Sequence, residues 1–394
     1  MNITSEYLQS FITNNFDIVD KFSLSPLAKS VLQKNYEYLY NANLAYKSAI
    51  ISKEEHHYSP ELFFLIPQPI QLMIRDDFTK YVYSYKFTIN SRTFFVTFFL
   101  HSENDMNISQ CLKRIYTWLH IVDKYAPSIC SKILKINIFF TEHMKYLPNK
   151  GETIDEIHVN TAFTTSCSPS TEINIFRKEE WFKVFIHETF HSLGLDFSSM
   201  NNEDVCSRIL SIFPVKSEVR LFETYCEMWA EIFNLLFLTF YSTKPYNNFS
   251  SMLNKFESLL QTEIIFSIFQ SNKVLHHNNM NYLDLFHDSM SSVNKRAKYN
   301  ESTHLLSYYV IKSILIYHTN EFLEWCVTNN NNIINFKKTN KNLHNYCRLI
   351  EKKYNDKKYI DITLTFDEWF HNKENTDYPT FENQTMRMTV YENK

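Results

Sequence analysis

Residues 187 to 191 read His-Glu-Thr-Phe-His. Four residues is close to one helical turn, so His187 and His191 stand one above the other and both imidazoles can face a single metal ion. Glu188, next to the first histidine, flanks the same cavity, where a carboxylate can take a proton from a metal-activated water. Two ligands and a base thus come from five residues. The plain alternative is a pair of core histidines beside a glutamate bridged elsewhere. Burying that glutamate among apolar neighbours without a cation costs several kcal/mol, which a bound ion offsets.

A catalytic zinc takes three protein ligands and keeps an open position for water. The run His191-Ser-Leu-Gly194 begins the H-E-x-x-H-x-x-G-x-x-H/D spacing of the metzincins, but Phe197 occupies the final place and Asp196 falls one residue early. A second source is Leu221-Phe-Glu-Thr-Tyr-Cys-Glu-Met-Trp-Ala-Glu231, which sets Glu223, Glu227 and Glu231 on one helix face. Like charges four apart oppose a helix by a few tenths of a kcal/mol per pair, and a cation against that face relieves them. A solvated acidic face is the bland reading of the same spacing.

The elements that must position these residues form an α+β chain. Residues 1–58 read as a helical segment. Tyr81 to Ile89 and Thr93 to Leu100, rich in aromatic and β-branched residues around Asn90-Ser91-Arg92, predict a hairpin. From Asn107 the apolar residues Ile108, Cys111, Leu112, Ile115, Leu119 and Val122 recur at helical spacing. Strands are expected at Leu134 to Phe140, Ile157 to Thr165 and Glu172 to Phe176, then a buried helix over Glu179 to Leu193 with both glutamates in its first turn. Helical patterns follow at 217–240, 254–270 and 302–317, and the polar stretch 372–394 reads as a flexible tail. This divides the chain into 1–58, 59–198 with the metal helix, a helical lobe over 199–371, and the tail.

With 394 residues, 44% of them hydrophobic, the chain can bury a large core. Its net charge of −3 and scattered Lys and Arg argue against a nucleic-acid partner. No window reaches the roughly 18 apolar residues of a membrane span, and the N-terminus lacks a signal peptide's basic start and apolar core. The seven cysteines, odd in number and without a C-x-x-C pair, are expected as reduced, mostly buried thiols in a cytoplasmic protein. The two glycines, Gly151 and Gly194, are expected where the backbone needs positive φ.

On these residues the chain resembles the gluzincins, zinc peptidases in which H-E-x-x-H is followed by a helix bearing a ligand glutamate. The likeness covers roughly residues 80 to 240. It implies an α+β, zincin-like fold: an N-terminal lobe with a mixed twisted sheet leading into the active-site helix, and a mostly helical C-terminal lobe. Gluzincins often carry a small residue three places, and an acid four places, after the ligand. Glu223 with Cys226 and Glu227 fits, so Glu223 is the implied ligand and Glu227 the acid that orients a histidine. Glu227 with Ala230 and Glu231 also fits, which keeps Glu227 as the alternative ligand.

Val159 to Phe163 resembles the edge strand on which such enzymes hold an extended substrate, through Asn160, Thr161, Ala162 and Phe163; an ordinary sheet strand is the alternative. The family's oxyanion donor, a His or Tyr of the second lobe, would be His304 or Tyr308. The resemblance therefore implies a Zn²⁺-dependent peptidase acting on a peptide or protein, with Glu188 as general base. A non-catalytic, zinc-stabilised scaffold or virion protein is the competing class. The stretch from Asn160 to Ser198 also resembles H-E-x-x-H proteins of large nucleocytoplasmic DNA viruses, which would place the chain in host cytoplasm or a virion.

Overall fold

A computed structural model describes residues 2–16, 22–55, 63–77, 81–103, 105–372 and 379–393. Six strands make one mixed sheet: β1 (Ile51–Glu54), β2 (Tyr81–Ile89), β3 (Arg92–Leu100), β4 (Ile133–Phe139), β5 (Ala162–Thr164) and β6 (Ser170–Ile175), in the order β1-β2-β3-β4-β6-β5. The expected hairpin is β2 and β3, and Asn90, at φ 50°, helps close its two-residue turn. β4 runs parallel to both β3 and β6, while the outer pairs are antiparallel. β1 is a departure from expectation, a strand inside the segment read as helical; it pairs with β2. The 58/59 boundary lies outside the described residues.

The α-helices are α1 (Ile3–Asn15), α2 (Pro26–Ala45), α3 (Gln68–Asp77), α4 (Ile108–Val122), α5 (Glu156–Val159), α6 (Trp181–Ser192), α7 (Glu203–Ile212), α8 (Leu221–Ser242), α9 (Phe249–His277), α10 (Met290–Arg296), α11 (Lys312–Tyr317), α12 (Thr319–Asn329), α13 (Asn340–Lys353), α14 (Lys357–His371) and α15 (Phe381–Gln384). A π-helical stretch, Leu306–Ile311, leads into α11. Alternation along the strands sorts their side chains: Phe94, Val96, Phe98, Ile136 and Ile138 join the main core with α4 and α6, whereas Phe99, Phe139 and Phe176 pack with Ile70 and Ile74 of α3 on the other face. The main core includes residues from α1 to Tyr391 and crosses the 198/199 boundary without a break.

Further expectations need correction. Ile157 to Val159 is not strand: the Asp155 side chain accepts the Ile157 N–H and His158 Nδ1 accepts the Asp155 N–H, a reciprocal cap that starts a helical turn, α5. Only Ala162–Thr164 of that stretch is strand. Glu179 and Glu180 precede α6 rather than forming its first turn, and Glu180 adopts φ 57°. Both carboxylates are drawn to Lys145: Glu179 accepts its N–H and Glu180 pairs with its ammonium group.

Another concerns the C-terminus. Residues 379–393 are no loose tail; Met386, Arg387, Thr389, Val390 and Tyr391 are almost wholly buried. Side chains distant in sequence satisfy much of the segment's backbone. Glu180 accepts the N–H groups of Met388 and Thr389, Glu263 of α9 accepts those of Val390 and Tyr391, and Gln270 donates to the Thr385 carbonyl.

Two of the seven cysteines are not free thiols as expected: Cys130 and Cys167 form a disulfide. Each lies three residues before a paired position of two parallel strands, Ile133 opposite Ser170, so the register brings them together although 37 residues separate them. Both glycines take positive φ, and at Gly194 the space is closed as well: a Cβ there would sit 2.8 Å from Cys130 Sγ.

Candidate metal centre

α6 carries the pentad and is held from three sides. Trp118 of α4 donates its indole N–H to Thr189 Oγ1 at 2.7 Å, Ser131 donates to the Ser192 carbonyl at 2.7 Å, and α8 packs along its length. Every residue of α6 is buried, His187, Glu188 and His191 included. Glu223 lies in the first turn of α8, where the helix dipole favours its negative charge.

These elements bring His187, His191 and Glu223 together. His187 Nε2 lies 3.1 Å from His191 Nε2 and 3.0 Å from Glu223 Oε2, and His191 Nε2 lies 3.3 Å from that oxygen. Donors around a tetrahedral ion with bonds of about 2.0–2.1 Å stand roughly 3.3 Å apart, so this buried group could hold a metal ion.

The far ring nitrogens are also engaged. Asp196 Oδ2 lies 2.5 Å from His191 Nδ1, and Glu227 Oε1 lies 2.8 Å from His187 Nδ1, at ion-pair distance but without a well-aligned hydrogen bond. Asp196, one place early for a ligand, thus stands on the side of His191 away from the donor triangle, and Glu227 does the same for His187. Such carboxylates fix the ring orientation and raise its basicity. Glu231, one turn further along α8, faces Lys312 and Thr389 instead. The acidic helix face is therefore buried, not solvated.

The charge balance favours a cation. Glu188, Glu223, Glu227 and Asp196 are buried around two imidazoles and the single ammonium of Lys183. Burial favours neutral imidazole at His187, but Glu223 and Glu227 outweigh it and raise the pKa to about 9. Burial likewise opposes charge on Glu223, yet the histidines hold its carboxyl well below the usual range. Glu188 shifts the other way: burial raises it, with Glu223 and Glu227 adding to the rise against the pull of the two histidines.

Tyr308 sits on the π-helical stretch with its ring 6.5 Å from that of His187. Ser307 anchors that stretch to α8 by accepting the Arg220 N–H and receiving a hydrogen bond from Thr224 at its carbonyl. His304 is not helical; it precedes the stretch, with Nδ1 3.0 Å from the Glu218 carbonyl and its ring 6.1 Å from Tyr308.

β5 is a sheet edge lying against α6. The Thr161 carbonyl accepts the Phe176 N–H and the Thr165 N–H bonds to Glu172, so by alternation the main-chain groups of Ala162 and Thr164 turn outward. Asn160 lies before the strand, its carbonyl held by Arg177 Nε, and Phe163 packs near Phe176.

Lys183, which pairs with Glu227, went unread in the sequence. Its signal was a lone charge one turn before His187 in an otherwise apolar stretch. Among the described residues no helix is long and apolar enough to cross a membrane. No family model, curated protein or solved structure matches the chain, so its function must be argued from the geometry of this centre.

Proposed function

We propose that this chain is a zinc-dependent peptidase of the gluzincin type, with His187, His191 and Glu223 as ligands. The observation that carries the reading is the donor triangle with 3.0–3.3 Å edges beside a buried carboxylate, Glu188, that belongs to no side of it. Two imidazoles and a carboxylate suit zinc, and a purely structural site has no use for a base. Zinc there would supply Lewis acidity, polarising the scissile carbonyl and acidifying a water.

The chain's own residues do the rest. Glu188 takes a proton from the attacking water and delivers it to the leaving amine nitrogen as the C–N bond breaks. Tyr308 is the nearer candidate to donate to the carbonyl oxygen as it becomes an oxyanion, with His304 behind it. Ala162 and Thr164 pair with the backbone of an extended substrate, flanked by Asn160, Thr161 and Phe163.

One feature favours the competing reading of a zinc-stabilised scaffold: His187, Glu188, His191 and Glu223 are each at most 9% exposed. Glu188→Gln separates the two. The peptidase reading expects wild-type zinc content and loss of cleavage of a peptide library. A mutant that cleaves like wild type refutes the base, and zinc-loaded wild type that cleaves nothing supports the scaffold.

A further inference from the structure

At the opposite end of α9 from its first turn, three further side chains converge. His276 lies in the last turn of α9, Asp367 and His371 are one turn apart on α14, and ligand atoms of all three lie within 4.8 Å of one another. We propose that they form a second site, separate from the first, for a divalent first-row transition ion such as zinc.

Two observations beyond this proximity point to a cation. Both histidines sit in the last turn of a helix, where the macrodipole places about half a negative charge, so two dipole ends of the same sign meet at one place. The ring nitrogens are also sorted. His371 Nδ1 donates to the Asp367 carbonyl at 2.8 Å and lies 3.3 Å from Asp367 Oδ1, leaving its Nε2 lone pair for an ion. Asn281 donates to Asp367 Oδ2 at 3.2 Å and steadies the carboxylate. The His276 ring is held flat against Phe370 at 5.5 Å and meets His371 edge-on at 5.2 Å.

The donor set selects the ion class. Two imidazoles with one carboxylate suit Zn²⁺, Co²⁺, Ni²⁺ or Cu²⁺, whereas Ca²⁺ and Mg²⁺ demand a shell of oxygens. Contraction from within 4.8 Å to coordinating distance falls to His371, whose side chain is 66% exposed. Lys150, Lys273 and His277 line the same cavity as His276, and an ion there must outcompete their charge.

The place gives the site a role. His371 ends α14, eight residues before the buried segment 379–393 begins. An ion shared with His276 ties the end of α14 to α9, which also binds that segment through Glu263.

The test is zinc stoichiometry of the full chain in a buffer fixing free zinc below micromolar. Two equivalents are expected for wild type. His276→Ala/His371→Ala should bind one and keep the wild-type fold, and His187→Ala/His191→Ala should bind one at the surface site. Co²⁺ loading of the second variant should give visible ligand-field bands that His371→Ala abolishes. Zinc content unchanged from wild type in His276→Ala/His371→Ala, or occupation of this site only at millimolar zinc, would overturn the proposal. Because the two pairs are separate, failure here leaves the donor triangle of α6 and α8 untouched, and the reverse also holds.

Discussion

Lys183 forms an ion pair with Glu227 one helical turn before His187, with side chains only 2% and 5% exposed, and the other oxygen of Glu227 lies 2.8 Å from His187 Nδ1. The sulfur of Met388 also touches the lysine, at 3.9 Å. The orienting carboxylate is thus itself oriented, and its support reaches the buried C-terminus.

Removing the cation should therefore strand a buried charge. Lys183→Met is expected to destabilise the fold by about 3–5 kcal/mol, the range for breaking a buried pair from one side. Lys183→Met/Glu227→Gln should recover most of that loss, since the charge goes with its partner. Urea unfolding of the three proteins checks this, and a double mutant no more stable than Lys183→Met would contradict it.

Ligand and orienting roles should separate by metal content. Glu223→Ala is expected to abolish binding at this centre. Asp196→Asn and Glu227→Gln should weaken it by about 10–100-fold and still fill at excess metal. Equilibrium dialysis decides, and equal retention by all three variants would remove Glu223 from the ligand set.

Gly194 links the disulfide to the metal helix. A side chain there meets both a φ of 67° and Cys130 Sγ at 2.8 Å, so Gly194→Ala should cost more than about 1 kcal/mol. Part of the loss is steric. The same substitution in a Cys130→Ala/Cys167→Ala background should cost less, as thermal unfolding of the four proteins would reveal.

Glu263 predicts a pH dependence of stability. Burial, reinforced by Glu231, pushes its carboxyl up to about 8 against the pull of Lys312 and Thr389. Between about 4.5 and 8 the folded state keeps a proton that the unfolded state has lost, so this contribution is full below that window and falls as pH rises through it. The slope is at most about 1.4 kcal/mol per pH unit. Glu263→Gln, which keeps an acceptor oxygen for the Val390 and Tyr391 N–H groups, should lose stability less steeply over the same window. Parallel melting curves from pH 5 to 8 would count against a protonated Glu263.

What could be read from the sequence alone was local in origin. The hairpin at Asn90, the amphipathic α4, the pentad on one helix and the acid spacing of α8 each depend on periodicity within one element, which short-range sterics impose. Spacing also narrowed the third ligand to a few carboxylates. Only the tertiary structure places these carboxylates: the crossing of α6 and α8 sets Glu223 against both Nε2 atoms and leaves Glu227 and Asp196 on the Nδ1 sides. The disulfide followed from the register of two parallel strands, a relation between segments 37 residues apart. The C-terminus was misread for a related reason. Its polar sequence suggests solvent, yet Glu180, Glu263 and Gln270, all distant in sequence, supply hydrogen bonds that let its backbone be buried.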